Sequence, residues 1–192
     1  ALATRVEKGA DQPKPLSALA QLNRHRHLVL LGDPGSGKST FVNFVAVCLA
    51  GELLGQKSLN VAALTTPLPL DENERRQMEE DGKEPEPQPW DHGALLPLPV
   101  VLRDLAARGL PQRGRKATVA HLWRFIETEL AAGGLGEYAP LLKKEFVETG
   151  GIFLFDGLDE VPTGDDHRLH IKQLVEDVAR PFPRCRVLVT SR

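Results

Sequence analysis

An α/β fold built on a parallel sheet follows from three features of the sequence. There are four short apolar runs of strand length, helical patterns between them, and a glycine or acidic residue where two of the runs end. The runs cover residues 27–31, 98–102, 152–155 and 186–190. The first, ending at Gly32, is apolar along most of its length, as expected of a strand buried within a parallel sheet.

At 192 residues the chain is long enough for one domain with a substantial core. Its 24 basic and 26 acidic residues leave a net charge of -2, which calls for neither nucleic acid nor an anionic membrane. Cys48 and Cys185 are too sparse for a disulfide framework and read as packing residues in a reducing cytoplasm. No stretch approaches the roughly 18 to 20 apolar residues that span a bilayer, and the amino end lacks a secretory pattern. The start at Ala1 and the stop at Arg192, directly after an apolar run, suggest a piece of something longer.

Along the chain, residues 1–24 read as a linker and a short helix, in which Ser17 is the cap and Leu16, Leu19 and Leu22 recur at helical spacing. The first strand is followed by a helix over about 38–54 that places Phe41, Phe44, Val45, Cys48 and Leu49 on one side. An acidic, proline-rich insertion at about 56–96 then breaks the rhythm. Its composition cannot bury enough apolar surface to stay ordered by itself, so it reads as a solvated surface segment. In the run at 98–102, Pro99 favours a strand start or an edge position. The basic stretch 108–116 has no interleaved aromatic residues and reads as a solvated loop. Helices follow at 119–130, with Leu122, Phe125, Ile126 and Leu130 on one face and Trp123 beside them, and at 141–149 and 168–179.

The strongest chemical signal is Gly32-Asp33-Pro34-Gly35-Ser36-Gly37-Lys38-Ser39-Thr40, two glycines spaced for a phosphate loop and then lysine and a hydroxyl. Glycines let the backbone curl so that successive N–H groups point at phosphate oxygens, and the following helix adds its positive end. Lys38 is expected to reach the outer phosphates and Ser39 to ligate magnesium. The third run delivers Asp156 to the carboxyl end of a strand, where a phosphate-bound magnesium needs an acidic partner. Asp159 and Glu160 lie close enough beyond it to orient or deprotonate an attacking water, and spacing does not decide between them. Arg192 places a cation at the end of the fourth run, where it can sense the terminal phosphate if that strand neighbours the two motif strands. The pairs His25/His27 and His167/His170 have no third ligand at metal spacing and read as surface residues.

Assembled, these motifs resemble the NACHT subfamily of STAND P-loop ATPases, and more closely its bacterial members. The resemblance rests on residues 32–40, on Trp90-Asp91-His92-Gly93-Ala94-Leu95-Leu96-Pro97-Leu98 leading to Val101-Leu102-Arg103-Asp104-Leu105, on Phe155-Asp156-Gly157-Leu158-Asp159-Glu160-Val161-Pro162, and on the segment from Cys185 to Arg192. It implies a nucleotide-binding domain over 25–192 with a three-layer P-loop fold that lacks its last core strand within these residues. It also implies that the strand ending at Thr190 lies between the phosphate-loop strand and the Asp156 strand, which leaves residues 28–31 as an apolar edge.

By the same resemblance Lys38 and Ser39 bind phosphate and magnesium (the Walker A site), Asp156 is the metal-side acid (Walker B), Asp159 and Glu160 extend it, and Arg192 is the sensor. ATP and ADP are then the ligands of a slow ATPase switch that controls self-association of a larger signalling or defence protein. A motor-type AAA+ or transporter ATPase would use the same acids for rapid cycling, and a non-hydrolysing scaffold is the third reading.

Overall fold

The computed structural model describes residues 16–111, 115–162 and 167–192. The linker reading of 1–15 and the centre of the basic loop, 112–114, lie outside the described residues. Four strands, β1 (His27–Leu31), β2 (Pro97–Val101), β3 (Ile152–Asp156) and β4 (Arg186–Ser191), form one parallel sheet in the order β1-β4-β3-β2. The expected α/β architecture is present. β4 occupies the position between β1 and β3 that the resemblance implied.

Strand alternation divides the core into two layers around the sheet. Ile152, Leu154 and Leu188 point to one face and pack on α1 (Ala18–Arg24), α2 (Lys38–Leu53) and α3 (Val61–Leu64). Phe153, Phe155, Val187 and Val189 point to the other, towards α5 (Leu102–Arg108), α6 (Val119–Ala132), α7 (Ala139–Glu148) and α8 (His167–Val178). Trp123, set beside the helix face by sequence, lies within this second layer, edge-on to Phe146 and Phe153 and against Phe182. β1 and β2 form the sheet edges. Val29 and Leu31 are 57% and 65% exposed on β1, and Pro99 sits on β2, where a missing N–H is tolerated.

Several local expectations change. The second strand begins and ends one residue earlier than the apolar run, because Leu102 and Leu105, three apart, turn inward together as the buried face of α5, a helix that periodicity did not reveal. On α2 the buried arc is Val42, Val45, Cys48 and Leu49, and Phe44 falls at its rim, 40% exposed. Gly51 fixes that phase: a Cβ there would stand 1.7 Å from the Leu59 carbonyl oxygen, so only glycine lets the chain beyond α2 cross so closely.

Both cysteines are free and buried. Burial raises the Cys48 pKa and pushes the Cys185 thiol up to about 11. The Cys185 Sγ–H donates to the Phe146 carbonyl at 3.3 Å.

The insertion holds more local structure than its composition predicted, since α4 (Glu72–Asp81) runs through its acidic part. A capping box explains this. Asp71 Oδ1 accepts from the Asn73 and Glu74 amides at 2.8 Å each, the Asp71 amide donates to Glu74 Oε2 at 3.1 Å, and Gly82 at φ +64° closes the helix. The expectation about burial holds for α4, which has no buried residue, and fails at the ends of the insertion, where Leu64 is buried in the α2 layer and Trp90 and Leu95 pack against that layer. Its flanks are pinned together at the base: the Gln88 amide donates to the Thr65 carbonyl and its side chain to the Thr66 carbonyl, both at 2.8 Å.

Replacing residues 71–86 with a short Gly/Ser linker should therefore change folding stability by less than about 1 kcal/mol. Thermal unfolding would show this as a shift of no more than about 4 °C. A larger loss would mean that the segment contributes to the core.

Candidate functional site

The chemistry-bearing residues gather at the carboxyl ends of β1, β4 and β3, where a parallel sheet opens towards a ligand. After β1 the chain turns through Gly35 at φ +76° and Gly37 at φ +85°, values that a side chain would strain. Gly37 leads directly into α2, whose amino end has no side-chain cap. The first amides of a 16-residue helix thus point into the turn without a capping acceptor, which makes the turn receptive to an anion. Lys38 folds back over this loop, donating from Nζ to the Gly32 carbonyl at 2.6 Å and the Asp33 carbonyl at 2.9 Å. Gly32 and Asp33 act here through those carbonyls and lie outside the cleft wall, whereas residues 34–40 form it.

Opposite the loop, β3 ends at Asp156. Asp156 Oδ1 accepts from the Thr190 hydroxyl at 2.5 Å, and Thr190 Oγ1 accepts from the Gly157 amide at 2.8 Å. Gly157, at φ +81°, swings the chain into a single tight helical turn, Leu158–Glu160. That turn brings both remaining acids to the cleft and ties each to a cation. Asp159 Oδ2 lies 2.8 Å from Arg192 Nε, and Glu160 Oε2 lies 3.4 Å from Arg103 Nη1. Arg168 adds a hydrogen bond to the Asp159 carbonyl at 2.8 Å. Both arginines are more than half exposed, so water screens both pairs, which differ in the acid and in the distance: Asp159 is only 17% exposed and Glu160 51%.

Loop and acids face each other across one cleft of about 270 Å³, whose wall includes Lys38, Ser39, Asp156, Asp159, Glu160 and Arg192. Sequence reasoning named all of these and missed Thr190, Gly157, Arg103 and Arg168. Thr190 had a legible signal, a hydroxyl ending an otherwise apolar strand core, and it is the one fully buried polar side chain among the described residues. Arg103 had none, because its pairing depends on how α5 docks.

This donor set fits a phosphate-bearing ligand and a hard divalent ion. The curled glycine loop offers N–H groups to anionic oxygens, while Ser39 and Asp156 offer the oxygen donors that magnesium takes. Among the described residues no cluster of three or more His, Cys, Asp or Glu is arranged to hold a metal alone. An ion here would draw its other ligands from phosphate and water.

A parallel α/β sheet with an anion-receptive cleft at its carboxyl edge is the class of domain that these features define. The model of the NACHT domain family matches residues 26–192, and the chain belongs to that family. Membership supports a nucleotide-binding regulatory role. Neither the curated proteins nor the solved structures compared with the chain yielded a match. Among the described residues no helix is long and apolar enough to cross a membrane.

The turn that carries the acids depends on Gly157. A Cβ there would lie 3.3 Å from Glu160 Cδ in addition to forcing a side chain into the left-handed region. Gly157→Ala should cost about 1 to 2 kcal/mol in chemical denaturation. An unchanged midpoint would show that the turn adopts another conformation in solution.

Proposed function

We propose that this chain is an ATP-binding, slowly hydrolysing switch domain of P-loop type, in which the ATP or ADP state governs conformation and self-association of a larger signalling or defence protein. The observation that carries the reading is the convergence of the glycine loop with Lys38 and the acids Asp156, Asp159 and Glu160 on a single cleft. The NACHT family match supports the regulatory part. Two buried free thiols favour a reducing, cytoplasmic setting.

In this reading the backbone amides of residues 35 and 37–40 hold the phosphates, the Ser36 amide being given to the Asp33 carbonyl at 3.1 Å, and Lys38 exchanges its two carbonyl contacts for phosphate oxygens. Ser39 and Asp156 would hold magnesium, whose chemistry is to draw negative charge from the phosphate oxygens. Glu160 is the residue assigned to accept a proton from the attacking water, since its carboxylate is held only by an exposed pair at 3.4 Å. Asp159 is more firmly held at 2.8 Å by Arg192 and keeps that arginine in the cleft wall. Arg192 then offers its remaining N–H donors to the terminal phosphate, so loss of that phosphate changes what Arg192 contacts. A motor-type ATPase would need the same acids, but no observation here favours rapid cycling.

Lys38→Ala should weaken binding of a fluorescent ATP analogue in magnesium by about 10- to 100-fold, the value of a lost charged hydrogen-bond donor. Unchanged affinity would place the nucleotide elsewhere. Glu160→Gln should slow single-turnover hydrolysis by about a hundredfold or more while sparing binding. If Asp159→Asn alone slows turnover, the roles of the two acids are exchanged.

A further inference from the structure

Thr190 stands at a position where the sheet calls for an apolar side chain. It shares a strand face with Leu188, and its side chain is fully buried. Its hydroxyl is nonetheless engaged on both sides. Phe155 pairs with Val189 in parallel register, so the next residues on the two strands, Asp156 and Thr190, come side by side. The direction of the proton follows from the inventory of donors. The Gly157 N–H can only donate, and it points at Thr190 Oγ1 from 2.8 Å. The one hydroxyl hydrogen is therefore directed to Asp156 Oδ1, 2.5 Å away, which accepts it.

We propose that Thr190 is a positioning residue for Asp156, and that by occupying Oδ1 it leaves Oδ2 as the one carboxylate oxygen presented to a magnesium-bound nucleotide. This rests on the nucleotide reading above and assigns within it a residue of the cleft wall whose hydroxyl acts through Asp156. Three constraints act together. The short hydrogen bond stops the Asp156 side chain from rotating, and the buried strand stops Thr190 from moving. The Gly157 amide stops the hydroxyl from reversing its donor. Without the hydroxyl, Asp156 loses its orientation and the Gly157 N–H loses its partner at the entrance to the acidic turn.

The expected signature lies in metal dependence rather than in binding as such. With a non-hydrolysable fluorescent ATP analogue as probe, affinity is measured in EDTA and across a series of free magnesium concentrations. Thr190→Val should leave the EDTA affinity unchanged and reduce the magnesium-dependent gain about tenfold or more, the usual effect of removing a partner that orients a metal ligand. Thr190→Ser should restore the gain. In an Asp156→Asn background, adding Thr190→Val should change nothing further, because the carboxylate it orients is gone. Should the valine variant fail to fold, Thr190→Cys, similar in size with a weak donor, should show the same reduced gain.

A full magnesium gain in the valine or cysteine variant, or an equal additional loss in the Asp156→Asn background, would overturn the assignment. A wild-type protein that binds the analogue without any magnesium gain would overturn this inference alone, and one that does not bind it at all would overturn the nucleotide reading and this inference with it.

Discussion

The carboxyl edge of the sheet depends on β4 running parallel between β1 and β3. Its backbone register sets Thr190 opposite Leu30 and brings Thr190 beside Asp156, while the Ser191 carbonyl accepts from the Gly32 amide at 3.2 Å. One strand therefore fixes the start of the glycine loop on one side and the start of the acidic turn on the other. A slip of one residue would turn Leu188 out of its layer and Val187 and Val189 out of theirs, so burial on both faces holds the register. Hydrophobic packing thereby sets distances between polar groups that it does not itself contact.

Around that strand the cations are distributed by element. Lys38 comes from α2, Arg103 from α5, Arg168 from α8 and Arg192 from the residue after β4, and each reaches the cleft or the acidic turn. The acidic turn is consequently braced by parts of the chain that are far apart in sequence. On the nucleotide reading proposed above, such a turn would respond to a ligand charge by exchanging partners, since the acids and arginines already form pairs that an incoming anion would compete with. The more exposed Arg103–Glu160 pair opposes such an exchange less than the Asp159–Arg192 pair does.

The insertion shows a different balance. Its helix α4 has a capping box and a glycine stop but no buried face, so its order is local. The pinning of Gln88 to Thr65 and Thr66 closes the excursion at its base and returns the chain to β2. The segment between can vary without moving the sheet, because none of its α4 side chains is buried.

Much of the site was legible in the sequence because its physics is local. A glycine turn before a helix needs glycines at fixed spacing, and an acid leaving an apolar run marks a strand end, so Lys38, Ser39, Asp156, Asp159 and Glu160 could be named from neighbours alone. The four strands were legible for the same reason, from runs of apolar residues. The strand order came from resemblance and was set in place by tertiary pairing, since parallel strands carry no sequence mark of their neighbours. The phase of α2, the burial of Trp123, the helix α5, the Arg103–Glu160 pair and the role of Thr190 as partner of Asp156 were decided by packing between distant segments. Thr190 is the clearest case: beside Val187, Leu188 and Val189 it reads as one more strand residue, and only the parallel register of β3 and β4 turns its hydroxyl towards a carboxylate 34 positions away in sequence.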